Sequence, residues 1–108
     1  MSSERVISVA RDFSRTPGPR YTSQGDWSGE EFRKRLEREL RRHERLVVDL
    51  DGTRGYGSSF LDEAFGGLVR EGVLTREDAL RRLEIRSSQD PTYKTEAEQA
   101  IRVAQHAA

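Results

Sequence analysis

The chain has 108 residues, 33% apolar and 35% charged, with 19 Lys and Arg balancing 19 Asp and Glu. A chain of this length buries one modest core, and without a basic excess it does not look like a nucleic-acid binder, which uses surplus Lys and Arg to displace counterions from phosphates. It has no cysteine, which excludes disulfides and thiolate sites, and no apolar run long enough to span a bilayer, so a single cytoplasmic domain over residues 1–108 with no membrane contact is expected.

In chain order, Glu4–Phe13 holds Val6, Ile7 and Val9, a short β-type run. The segment 14–29 contains two of the three prolines together with Gly18, Gly25 and Gly29. Within it, Arg20–Ser23 is expected to return as a second extended segment of a hairpin. Ser28, with Glu31 three residues on, has the spacing of a capping box, in which side chains satisfy the unpaired amides of a helix start. The helix predicted from there runs to about His43 with Phe32, Leu36 and Leu40 as its apolar stripe. Residues 33–45 carry seven cations and three carboxylates, a solvated face.

Leu46–Leu50, apolar except for Asp49, predicts a central parallel strand covered on both faces. Asp51–Gly57 holds three glycines and is a loop. A second helix starts at Ser58 or Ser59, where Ser59 and Asp62 resemble a capping box, and Phe60, Leu61, Ala64, Phe65, Leu68 and Val69 give it a broad apolar face. Gly66 and Gly67 inside it cost about 1 kcal/mol each relative to Ala, so another backbone is expected to pack closely there. Gly72 ends this helix. Thr75 and Asp78 open a short helical piece to about Leu83, and Leu83–Arg86 reads as a strand. Asp90 as cap and Pro91 as first residue begin the last helix, with Tyr93, Ala97, Ala100, Ile101 and Ala104 as its stripe. The order predicts an α/β fold with a mixed, mostly parallel sheet of about four strands flanked by helices.

Val47–Thr53 has the pattern apolar-apolar-Asp-x-Asp-Gly-Thr, which resembles the nucleophile loop of haloacid-dehalogenase-type phosphatases. In those enzymes one carboxylate attacks phosphorus and the next serves as acid/base. A small Mg²⁺-dependent phosphotransfer enzyme would use Asp49 and Asp51 so. It would also need a downstream lysine and a second carboxylate pair at a strand end. The 55 residues after Thr53 contain one lysine, Lys94, and their adjacent acidic pairs, Asp62-Glu63 and Glu77-Asp78, fall inside predicted helices. The two aspartates are therefore expected to end the strand and cap the turn through Asx-type hydrogen bonds. With His43 and His106 as the only histidines, neither a metal site, a cofactor nor a Ser-His couple is expected.

Pro17-Gly18-Pro19-Arg20-Tyr21, Ser28–Arg33, Val48–Gly52 and above all Ser59–Leu68 resemble a known family, the STAS-like domain of unknown function. The resemblance implies a STAS-like fold. In STAS antagonists a Ser/Thr pair at the start of the helix after the central strand is phosphorylated by a GHKL-type ATPase kinase, and the added charge breaks a partner interface. Ser58 and Ser59 match that position, though Gly57 and Phe60 stand where the pattern has Asp and Gly. A non-enzymatic regulatory domain is thus expected, with a GHKL-type ATPase or anti-sigma-like factor as partner. Its surface would be built from Asp51, Thr53, Arg54, Tyr56 and Phe60. As alternatives, Ser58 and Ser59 only cap the helix, or Arg20, Tyr21 and Trp27 in the Gly/Pro loop form a small-ligand sensor. Trp27 is equally a lid over the first helix.

Overall fold

The computed structural model describes residues 3–106, and most of its helices begin where the chain supplies an acceptor for unpaired amides. Helix α1, Val9–Asp12, is capped by Ser8, whose hydroxyl accepts the Arg11 amide at 3.2 Å. Helix α2, Gly29–Arg42, is capped by Ser28, which accepts the Glu31 amide at 3.0 Å. The far end of α2 is closed by Arg82, which donates to the carbonyls of Leu40, His43 and Glu44. Helix α3 is continuous but composite: Ser58–Leu61, a π-helical stretch Asp62–Gly66, then Gly67–Arg70. Gly72, at φ +74°, turns the chain after it. Thr75 caps α4, Arg76–Arg82, and Asp90 caps α5, Pro91–Val103, with Pro91 at its start.

The sheet has three strands, β1 Glu4–Ser8, β2 Arg45–Asp49 and β3 Leu83–Arg86, all parallel in the order β1-β2-β3. This corrects the expected count of four and the expectation of a mixed sheet. The missing strand is Arg20–Ser23, which closes on itself instead. The Gln24 amide donates to the Tyr21 carbonyl at 2.9 Å, and the Tyr21 amide donates to Gln24 Oε1 at 3.0 Å. Thr22–Gln24 is accordingly a single 3₁₀ turn, with its polar backbone groups satisfied locally.

A sheet wound in simple sequence order through right-handed crossovers keeps its helices on one face. The register agrees, because Ile7, Val48 and Ile85 lie in one row and share a core cluster with Phe32, Leu36, Phe60, Phe65 and Ile101. Side chains alternate between faces, so the next row, Val6, Val47 and Glu84, points the other way. There Val6 is 44% exposed, while Val47 is fully buried yet lies outside the core cluster. Arg45–Glu4, Arg45–Glu84 and Arg86–Glu84 ion pairs span this face. The central strand is buried on both faces, as expected, with Leu46, Val47 and Val48 all at 0% exposure. Charged side chains take the place of a second helix layer.

Another backbone does approach closely at Gly66, whereas at Gly67 the close neighbour is a side chain. A Cβ on Gly66 would meet the Ala100 carbonyl oxygen at 3.0 Å, and one on Gly67 would meet Arg33 Cδ at 2.7 Å. Helix α3 is thereby seated between α2 and α5. Among the described residues no helix is long and apolar enough to cross a membrane.

Candidate functional site

The carboxyl ends of the three strands meet the loop Asp51–Gly57, and this loop is fixed by bonds to backbone groups. Asp49 Oδ1 accepts the Asp51 amide at 2.9 Å, the Asx-type turn expected from the sequence. The Asp51 carboxylate accepts the amides of Ser88 at 3.1 Å and Gln89 at 3.0 Å, while Gln89 Oε1 accepts the Gly52 amide at 2.9 Å. Thr53 Oγ1 accepts the Gly55 amide at 3.1 Å, and the Tyr56 hydroxyl donates to the Leu50 carbonyl at 2.7 Å. The Arg54 amide donates to the Arg15 carbonyl at 2.8 Å, tying the loop to the segment after α1. Gly52 at φ +91° and Gly55 at φ +124° supply the two left-handed turns. Burial raises the Tyr56 hydroxyl above the usual tyrosine range, and its ring rests on Phe60 and Tyr93.

On this scaffold Arg54 and Ser58 are exposed, and Asp51, Thr53, Tyr56 and Ser59 are half-buried. Phe60 is fully buried at the centre of an aromatic cluster with Phe13, Phe32 and Tyr56. It belongs to the core, which corrects its assignment to the contact surface. The serines do not cap α3. Gly57 is the cap residue and no side chain bonds the first amides, so the Ser59-Asp62 spacing, which looked like a capping box, starts two residues beyond the cap. A depression of about 500 Å³ beside the loop is lined by Ser8, Arg11, Arg15, Asp51 and Gln89.

Arg20 is not in this site. Its Nη1 lies 2.5 Å from Asp62 Oδ2 and 3.8 Å from Glu63 Oε1, and Arg70 reaches the same two carboxylates at 3.2 and 3.3 Å. Arg33 Nε lies 3.3 Å from Glu63 Oε2, a charge contact without an aligned hydrogen bond, and Arg33 Nη1 lies 2.6 Å from Glu37. Burial pushes the Asp62 carboxyl upward, but hydrogen bonds from Arg20 and Arg70 and their charges outweigh it and hold it below its ordinary value. The network fastens the Gly/Pro loop to the π-helical stretch of α3. Sequence reasoning missed it because Arg20 and Asp62 are 42 residues apart and nothing local in either segment points to the other. Tyr21 and Trp27 are 45% and 43% exposed. The Trp27 ring stands edge-on to Phe13 at 5.3 Å.

Chemically, the strand end places the Asp49 and Asp51 carboxylates on backbone amides, and no three His, Cys, Asp or Glu side chains gather into a metal-holding group among the described residues. The sheet order has no reversal, and it is at such a reversal that open α/β sheets form their ligand crevice. The fold and site together define a small, singly wound parallel α/β domain with a rigid polar strand-end loop. A family model described as the STAS-like domain of unknown function matches residues 28–93, more than half of the chain, and the protein belongs to that family. No curated protein and no solved structure matches the chain.

Proposed function

We infer that this protein is a non-enzymatic regulatory module of the cytoplasm that binds a protein partner through the carboxyl ends of its strands. The observation that carries this reading is the division of labour in the Asp51–Gly57 loop. The Asp51 carboxylate holds two backbone amides, while Arg54 and, just after the loop, Ser58 stand in solvent on a hydrogen-bonded scaffold. A preorganised surface loses little conformational entropy on docking. The STAS-like character favours a GHKL-type ATPase or anti-sigma-like kinase as the partner. Ser58, exposed in the first turn of α3, is better placed for modification than half-buried Ser59, and an anion there would be favoured by the helix end. A photo-crosslinker at position 54 tests the reading. It should capture such an ATPase in the native cell, whereas one at exposed position 38, on α2, should not. Equal capture from both positions would overturn the reading.

A further inference from the structure

We propose that the segment Tyr21–Trp27 is a second docking surface, one that takes a basic segment of a protein partner. Trp27 has φ +58°, and it is the only non-glycine with positive φ among the described residues. A bulky side chain in that conformation is an outlier, and such strain persists only where the surroundings impose it, most often at functional sites. The surroundings here are well defined. The Gly18 amide donates to the Trp27 carbonyl at 2.8 Å, the Thr22 amide to Glu30 Oε1 at 2.9 Å, and the hydroxyls of Thr22 and Ser28 are bonded at 2.9 Å. The loop thus holds Tyr21 and Trp27 outward, 45% and 43% exposed. Trp and Tyr are the residue types that dominate interface energetics.

Charge selects the occupant. The Arg20 guanidinium, which lies 5.9 Å from the Tyr21 ring centre, is neutralised by Asp62 and Glu63. Exposed Asp26 adjoins Trp27, and Glu30 and Glu31 lie in the first turn of α2. Lys34 offsets Glu30 at 3.7 Å. Among the described residues neither Asp26 nor Glu31 takes part in the ion pairs around the loop. An exposed Trp27 ring, next in the chain to exposed Asp26 and four residues before Glu31 in the first turn of α2, suits a Lys or Arg whose stem lies on the ring and whose charge meets these carboxylates.

Trp27 is the single tryptophan of the chain, so its emission reads the surface directly. The full chain is titrated with a synthetic peptide alternating Arg and Leu, and with a Glu/Leu peptide of equal length. The basic peptide should give a saturable change in Trp27 emission that weakens as salt rises, and the acidic one none. The double variant Asp26→Lys/Glu31→Lys should stay folded, with a slightly lower melting temperature because Lys replaces Glu at the positive end of α2, and should lose about tenfold or more in affinity. Arg54→Glu, which probes the strand-end surface, should bind the basic peptide like wild type, so the two surfaces fail or stand separately. An absent or unsaturable change, an equal response to the acidic peptide, or undiminished affinity in the folded double variant would overturn the proposal.

Discussion

Asp51 and Gln89 clasp the ends of the second and third strands to each other in a reciprocal pair. The Asp51 carboxylate takes the Gln89 amide at 3.0 Å while the Gln89 side-chain oxygen takes the Gly52 amide at 2.9 Å. Removing the carboxylate leaves the Ser88 and Gln89 amides without it. Hydrogen bonds to charged groups are worth about 1.5–3 kcal/mol each, less where water can replace them. Asp51→Ala should therefore lower the unfolding free energy by about 2 kcal/mol in a urea titration, whereas Asp51→Asn, which retains an acceptor, should lose less. Equal stability in all three proteins would mean that the clasp does not hold the loop.

The motif that resembles a phosphatase loop has a structural use in this chain, since Asp49 accepts the Asp51 amide. No phosphoester hydrolysis above background is expected from the wild type with Mg²⁺, and Asp49→Asn should remove none. Turnover by wild type that disappears in this variant would replace the regulatory reading with an enzymatic one.

Gly29 sits where α2 crosses α3. A Cβ there would lie 2.6 Å from the Phe60 carbonyl oxygen, which is backbone and cannot swing aside. Gly29→Ala should cost about 1–3 kcal/mol through overpacking. Gly57→Ala is the matched control, because the added methyl would meet nothing closer than Ser59 Oγ at 3.9 Å, and its melting temperature should stay near that of wild type. The reverse ranking would place the helix crossing elsewhere.

Stability should fall at both ends of the pH scale, for different residues. The Asp62 carboxyl is held below its ordinary value of 3.8, so the folded state binds that proton less tightly than the unfolded chain. Its contribution is present above 3.8 and is lost as the pH drops below it. The Tyr56 hydroxyl is raised above its ordinary value of 10.0, so its contribution is present below 10.0 and is lost as the pH rises above it. Urea midpoints followed against pH should show an acid decline that Asp62→Asn flattens and an alkaline decline that Tyr56→Phe flattens. Unchanged limbs in these variants would assign the declines to other groups.

What the sequence made legible was governed by local chemistry. Ser28, Thr75 and Asp90-Pro91 each mark a helix start within a few residues, because a cap acts on amides only two or three positions away. Leu83–Arg86 was legible as a strand from a run of four residues. The Arg20–Ser23 segment misled because its Tyr and Thr favour strands, while the Gln24 side chain captures the Tyr21 amide and closes a turn. The run Glu4–Phe13 splits for a similar reason: Ser8 ends β1 and caps α1. The π-helical stretch, the Arg20–Asp62 pair and the ion-paired second face of the sheet depend on packing between distant segments, which leaves no local pattern. The exposure of Arg54 and Ser58 follows from their positions in the glycine-rich loop and at the helix start. The burial of Phe60 was implied by its place in the apolar face of α3, but the neighbouring serines drew it into the surface.

The most direct test of the proposed partner surface is calorimetric titration of a GHKL-type ATPase, the partner class proposed above, with wild type, Arg54→Glu and Ser58→Glu. Glutamate at position 58 stands at the positive end of α3 and should leave stability unchanged or raise it by about 0.3–1 kcal/mol. The account predicts saturable binding by wild type and a loss of about tenfold or more in affinity for each folded variant, as expected when a charge is reversed or introduced within an interface. Full affinity in both folded variants would contradict it and move the partner surface away from the strand ends.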